Sequence, residues 1–314
     1  MKKETLIIIA GPTASGKTEL ALKAAAEVDG EIISGDSMQI YRGLNVGTAK
    51  PTEKELLQIP HHLIDVVPMC GSFSAADFQQ GAADAIRDIR SRGKTPILCG
   101  GTGLYIQSLL YGYQFSSADS DPEVRKKLED QAHKYGGAAL YKELKETDPA
   151  GAETVHPHNV KRVIRMLEIN AVTGAPVSSI EEIAKESPYR FLLCGLAHDR
   201  EVLYDRINRR VELMAASGLI EEAEKLYAEC GMNAQASQAI GYKELFPYIR
   251  GEQELDACLN QLKQNTRRFA KRQLTWFRNK LPVTWFDLSG DREEREKAVI
   301  GEISRFAGPP RQSF

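Results

Sequence analysis

The chain has 314 residues, 42% of them hydrophobic and 27% charged, with a formal net charge of −2 at pH 7; this is a globular composition with room for one main core and a smaller appendage, and it excludes a disordered polymer. No apolar run reaches the roughly 18 residues that cross a bilayer and the short one near the start has no secretory cleavage pattern, so a cytoplasmic protein with no membrane partner is expected. The five cysteines, Cys70, Cys99, Cys194, Cys230 and Cys258, are scattered without a C-x-x-C pair, which suggests neither a disulfide framework nor a zinc site.

In chain order, residues 5–10 form a short β-branched and apolar run suited to a buried parallel strand. Residues 19–28, rich in Ala and Leu and free of Gly and Pro, suit a helix. Between them, Gly11-Pro12-Thr13-Ala14-Ser15-Gly16-Lys17-Thr18 matches G-x-x-x-x-G-K-[ST] in the strand-to-helix context that pattern needs. The glycines let several N–H groups face an oxyanion, Lys17 adds a point charge, Thr18 can hold Mg²⁺, and the helix N-terminus adds its dipole. The implied ligand is a diphosphate or polyphosphate. Whether that group is transferred, hydrolysed or simply released is left to the rest of the chain.

Residues 31–34 read as the next strand, and they deliver Asp36, Ser37, Met38 and Gln39 to the edge where an open α/β sheet gathers its ligands. Asp36 there can accept a proton or hold a cation through water, while Ser37 and Gln39 can meet a base edge. The plainer role for Asp36 is to cap the following turn. A further strand is expected at 62–67, where Asp65 offers a rival metal-holding carboxylate, and another at 95–99. The latter runs into Gly100-Gly101-Thr102-Gly103, which reads either as a tight turn or as a close backbone approach to a ligand with the Thr102 hydroxyl beside a leaving oxygen.

Strands at 190–197 and 283–288, alternating with helical patterns, complete an α/β fold: a P-loop NTPase-like, doubly wound parallel sheet. The stretch 116–189 lacks a good strand and carries helical periods at 122–135, 138–146 and 159–172, the last stopped by Thr173-Gly174-Ala175-Pro176. It reads as an inserted all-helical subdomain, dividing the core into 1–115 and 190–314. Helices are also expected at 200–216 and 252–280, with a loose tail at 308–314.

Residues 260–280 hold seven basic side chains, Lys263, Arg267, Arg268, Lys271, Arg272, Arg278 and Lys280, and no acidic one. At helical spacing Lys263, Arg267 and Lys271 share a face adjoined by Arg268 and Arg272, with Leu262, Phe269 and Trp276 expected to pack inward. On a slightly acidic protein this stripe is either a solvated face or a contact for a polyanion, most simply nucleic acid. Lys161, Arg162 and Arg165 form a smaller basic cluster in the insertion. Arg206 and Arg210 share a helical face and can reach back to the phosphate site.

Taken together, Gly11–Thr18, Asp36-Ser37-Met38-Gln39-Ile40-Tyr41, Gly47-Thr48-Ala49-Lys50-Pro51, Gly100–Tyr105, Ala239-Ile240-Gly241-Tyr242-Lys243-Glu244 and Thr266–Trp276 resemble, in order and over most of the chain, the bacterial tRNA dimethylallyltransferase (tRNA isopentenyltransferase) family. The resemblance implies transfer of a dimethylallyl group from dimethylallyl diphosphate to N6 of the adenosine at position 37, beside the tRNA anticodon, with Mg²⁺ and release of pyrophosphate. It implies Asp36 as the group that accepts the N6 proton, Thr102 near the reacting atoms, Arg210 or Arg206 on the diphosphate, and the flipped base against Asp36, Ser37, Met38 and Gln39. It also implies a grip on the anticodon stem-loop by Lys161, Arg162 and Arg165, which stand where the family pattern is Gln-Arg-x-x-Arg, and by Arg268 and Arg272. A compact monomer is expected. The alternative is an ATP-dependent P-loop kinase of a nucleoside or small metabolite, which leaves the basic helix without a task.

Overall fold

The computed structural model describes residues 3–113, 121–180 and 186–308. Six strands, β1 (Glu4–Ala10), β2 (Gly30–Ser34), β3 (His61–His62), β4 (Thr95–Gly100), β5 (Tyr189–Ala197) and β6 (Thr284–Asp287), make one sheet in the order β3-β2-β4-β1-β5-β6. Every pairing is parallel. The central strand β1 is a continuous apolar run because helices cover both sheet faces. Ile7 and Ile9 pack with Leu20, Ala21 and Ala24 of the Lys17–Glu27 helix and with Val299 and Ile303 of the Arg292–Ala307 helix. Leu6 and Ile8, equally buried, point to the opposite face by strand alternation.

The strand expected at 62–67 stops after His62. Leu63 and Asp65 take left-handed backbone angles, φ 61° and 56°, which no strand tolerates, and only the isolated bridge of Tyr41 with Val67 continues the pairing. The C-terminal helix Arg292–Ala307 and the helix Leu219–Cys230 were not evident from sequence. Residues 309–314 of the expected tail lie outside the described residues.

Two compact units are separable: Met1–Leu110 with Pro188–Phe314, and Tyr111–Ser187. In the second, helices Pro122–Tyr135, Gly137–Thr147 and Val160–Thr173 close on Leu128, Leu140, Leu144, Val163 and Leu167. Their ends follow local chemistry: Asp121 caps the first with Pro122 at its first position, and Gly174, at φ 69°, ends the third. In the first unit a further apolar cluster around Tyr41, Leu44, Leu219, Leu226, Tyr242 and Leu262 lies beside the sheet. There the structure corrects the cysteine expectation, because Cys70 and Cys230, 160 residues apart, form a disulfide with Cα atoms 5.2 Å from each other. Among the described residues no helix is long and apolar enough to cross a membrane.

Candidate active site

The phosphate-binding motif turns directly off β1. Ala14 and Gly16 adopt left-handed angles, φ 62° and 85°, and Gly16 caps the Lys17–Glu27 helix without a side-chain bond, so the first-turn amides face the loop. Ser15 is buried and its hydroxyl has no protein partner, an arrangement that suits an incoming oxyanion. Lys17 Nζ donates to the Pro12 carbonyl at 2.6 Å. Desolvation pushes the Lys17 ammonium down to about 8, with Arg210 acting in the same sense and Cys99 and Asp36 opposing.

Strands β2 and β4 are neighbours, so their C-terminal loops meet. The Gly35 amide donates to the Cys99 carbonyl at 2.8 Å and the Thr102 amide to the Gly35 carbonyl at 3.3 Å. A Cβ on Gly100 would overlap the Gly35 backbone, which is why this position has no side chain. Asp36 Oδ1 accepts from the Met38 amide at 2.8 Å. Asp36 therefore fixes its own turn with one oxygen while lining the cavity. Burial pushes the neighbouring Cys99 thiol up to about 11, so it is a neutral wall group rather than a nucleophile.

These loops enclose a cavity of about 280 Å³. Thr13, Lys17 and Thr18 line it together with Asp36, Ser37, Met38, Thr102 and Arg210, and Ile207, Val211, Met214, Leu262 and Phe269 add an apolar wall. Of the two candidate arginines, Arg210 lines the cavity. Burial lowers its pKa and Asp36 counters this. Arg206 instead backs the P-loop, its Nη1 3.4 Å from His198 Nε2, which lies 2.8 Å from the Ser15 carbonyl. Burial foremost, with Arg206 adding to it, lowers the His198 pKa, and its Nε2–H donates to the Ser15 carbonyl.

Several sequence expectations need correction. Gln39 lines the cavity, but its amide is spent internally: its oxygen accepts from Ser34 Oγ at 2.9 Å and its nitrogen donates to the Thr48 and Ala49 carbonyls at 3.3 and 3.2 Å. Asp65 is outside the cavity and accepts from Lys50 Nζ at 2.6 Å, so it is not a metal holder beside the P-loop. On the Leu255–Lys280 helix the basic stripe divides. Lys263 pairs with Glu212 at 2.7 Å and Arg267 donates to Asn208 at 2.6 Å, whereas Arg268, Lys271 and Arg272 are exposed. The deeply buried residues of its C-terminal half are Ala270, Gln273 and Phe277, and Phe269 and Trp276 are only half-buried. In the inserted unit Lys161 and Arg162 are exposed, while Arg165 joins Arg125 on buried Glu168, at 3.0 and 2.6 Å. Burial alone would raise the Glu168 pKa; the two guanidinium bonds overcome it and hold the carboxyl below its ordinary value.

Two supporting residues escaped sequence reasoning. Glu222 accepts from the amides of Asn45, Val46 and Gly47 at 2.5, 2.9 and 2.8 Å and from the Tyr242 hydroxyl at 2.7 Å, fixing the loop whose Gly47, Thr48 and Ala49 line the cavity. Gln273 is the other. Its only sequence signal is a polar residue on the same helical stripe as Ala270 and Phe277, where a buried amide must find partners.

The family model for IPP transferase matches residues 39–280. The chain is 49% identical over 304 residues to the tRNA dimethylallyltransferase of Geobacillus kaustophilus, covering 96% of each chain, and 48% identical over 305 residues to that of Bacillus subtilis, covering 96% of this chain and 97% of that one. Among solved structures it resembles the full-length tRNA isopentenylpyrophosphate transferase of Bacillus halodurans, with TM-score 0.73, 45% identity and 97% of each chain covered. It also resembles a eukaryotic dimethylallyltransferase described as acting on tRNA, with TM-score 0.80, 29% identity, and 99% of this chain and 81% of that one covered. With a P-loop, two strand-end loops and an apolar wall around one cavity, and with these relatives along nearly its whole length, the chain belongs to the IPP transferase family, a family of tRNA-modifying prenyltransferases.

Proposed function

We propose that the chain transfers a dimethylallyl group from dimethylallyl diphosphate to N6 of the adenosine at position 37 of tRNA, releasing pyrophosphate. The single observation that carries this is the cavity in which P-loop residues Lys17 and Thr18 share walls with Asp36, Thr102, Arg210 and an apolar surface. The apolar wall suits a five-carbon chain, and the relatives are dimethylallyltransferases rather than kinases. In this reading the P-loop amides, Lys17 and Arg210 hold the diphosphate and stabilise it as it leaves, and Ile207, Val211, Met214 and Phe269 receive the five-carbon tail.

The N6 lone pair attacks C1 of the allyl group, the C1–O bond breaks with its electrons passing to the diphosphate, and the N6 proton passes to the Asp36 carboxylate. Thr102 sits beside this exchange and holds the Asp36 loop through Ser37. The adenine must leave its stack to enter, as with other base-modifying enzymes. Exposed Arg268 and Arg272 supply phosphate contacts to the anticodon stem-loop, as do exposed Lys161 and Arg162 of the inserted unit, while Arg165 is held on Glu168.

Mg²⁺ fits the donor set. Among the described residues no three His, Cys, Asp or Glu side chains cluster as a metal cage, while Thr18 and Asp36 both line the cavity. Such a sparse set suits a cation that keeps its waters and takes oxygens from substrate phosphates. When bound there it neutralises charge on the departing diphosphate. We take the working form to be a cytoplasmic monomer. The test is to incubate the protein and Mg²⁺ with unmodified tRNA and either labelled dimethylallyl diphosphate or γ-labelled ATP. Prenyl label on the adenosine beside the anticodon is expected. Label moving only from ATP restores the kinase reading.

A further inference from the structure

The side chain of Gln273 lies at the crossing of three elements. Its Oε1 accepts from the amide of Thr13 in the P-loop at 3.0 Å, and its Nε2 donates to the carbonyl of Gly101 at 2.9 Å. It is 7% exposed and lines the cavity. It projects from the Leu255–Lys280 helix, which presents exposed Arg268, Lys271 and Arg272 just before it. A Cβ on Gly101 would overlap the Gln273 amide nitrogen and lie 3.3 Å from the Gly11 carbonyl, so the hard clash at 101 is with Gln273 and the P-loop backbone adds a tight contact. Both hydrogen-bonding ends of one buried amide are thus committed to two ligand loops, just beyond the last β1–β4 backbone pair at Ala10 and Gly100.

We propose that Gln273 is a positioning residue for prenyl transfer: it sets the spacing between the P-loop, which holds the diphosphate, and Thr102, which borders the attacking amine. This deepens the proposed function above and rests on it. The physical reason is that reacting atoms must lie within about 3–3.5 Å, and a displacement near 1 Å is enough to cost on the order of 10²-fold in rate. An apolar side chain at 273 would fill the space but let the two loops drift apart. A side chain whose two amide ends are spent on the loops can then control the chemical step while leaving binding to the groups that make it.

The experiment is single-turnover prenyl transfer with enzyme in excess, comparing the wild type with Gln273→Met, which is near in volume and makes neither bond. The rate constant should fall about 10- to 100-fold with the reaction amplitude and the dissociation constant for tRNA within twofold of wild type. A merely structural loss lowers the amplitude, because part of the protein is unfolded, and leaves the rate constant alone. A second arm covers the case in which Gln273→Met folds poorly. Gly101→Ala, which strikes the amide, should slow the wild type as strongly, and the same change should slow Gln273→Ala by less than twofold further. If the wild type transfers no dimethylallyl group, the parent reading falls and this proposal with it. If the wild type transfers and Gln273→Met keeps a rate constant within twofold, or loses amplitude only, this proposal alone is overturned.

Discussion

Ser37 and Thr102, 65 residues apart in sequence, are joined where the Ser37 amide donates to the Thr102 hydroxyl at 3.2 Å. The bond ties the Asp36 turn after β2 to the glycine-rich loop after β4, so the two candidate reactive groups share one frame. Thr102→Ala removes the acceptor and should lower turnover at saturating substrates by about 10²-fold, the usual loss for one preorganised polar group. Thr102→Ser restores the hydroxyl and should recover most of it. Initial rates of the two variants decide this; an alanine variant at wild-type speed would mean the hydroxyl has no part in the step.

Asp36 serves both its local turn and the cavity, and the two duties separate by substitution. Asp36→Asn keeps an oxygen for the Met38 amide but cannot take a proton. Turnover should drop at least about 10²-fold, with the melting temperature and tRNA affinity close to wild type. If Asp36→Asn instead turns over normally while Asp36→Ala does not, the residue is a turn former only.

Lys17 gives the pyrophosphate affinity a pH dependence. Its ammonium is pushed down to about 8 in the free site, mainly by desolvation. Below pH 8 Lys17 is charged and adds no pH dependence of its own; above 8 binding must return its proton, and its contribution to affinity should fall by up to tenfold per pH unit beyond what the titration of free pyrophosphate accounts for. The stability effect has the opposite slope, because the unfolded chain keeps this proton up to the ordinary value of 10.5, so stability from this group rises with pH between about 8 and 10.5. Titration calorimetry of pyrophosphate at pH 9 in two buffers of different ionisation enthalpy should register uptake of close to one proton. A binding curve flat from pH 7 to 9.5 contradicts the assignment.

The division of the basic helix predicts unequal roles for its cations. Arg268→Ala with Arg272→Ala should weaken tRNA binding and reduce the slope of log K against log salt by about 1.5, near the expected release for two phosphate contacts. Lys263→Ala should leave that slope alone, because Lys263 is paired with Glu212. Salt titrations of tRNA binding test both, and equal effects from all three residues would mean that the pairing to Glu212 yields to RNA.

The Cys70–Cys230 bond closes a span of 160 residues. Chain-entropy reasoning assigns a closure of that length about 5 kcal/mol at most. Thermal melts with and without reductant should differ by several degrees, and Cys70→Ser with Cys230→Ser should reproduce the reduced value and no longer respond to reductant. Identical melts would show that the bond carries no net stability.

Much of this architecture was legible before any coordinates. The apolar runs around 5–10 and 95–99 are long enough and β-branched enough to be buried strands, and the Gly-Lys-Thr turn matches a helix that opens on an anion. Gly174 and Asn159 mark helix ends through local backbone geometry alone. Asp36 and Thr102 could be nominated because each follows a strand directly, and the C-terminal edge of a parallel sheet collects such loops. In each case the signal lies within a few residues of its effect.

What the sequence could not determine depends on contacts between distant segments. Seven cations on one helix look alike by spacing; only packing against the Arg200–Ala216 helix assigns Lys263 to Glu212 and Arg267 to Asn208 and leaves Arg268 and Arg272 in solvent. Gln39 reads as a base reader until Ser34, Thr48 and Ala49 occupy its amide, and Asp65 as a metal holder until Lys50 claims it. Glu222 and the Cys70–Cys230 pair have no local signature, and Gln273 shows only a polar residue in an apolar stripe, because the loops or the cysteine each one joins lie more than 150 residues away. Short-range chemistry and hydrophobic period therefore determined the sheet, the phosphate loop and the candidate reactive groups. The tertiary structure decided which polar side chains remain free to meet a substrate, since a buried hydrogen-bonding group takes whichever partner the fold brings to it.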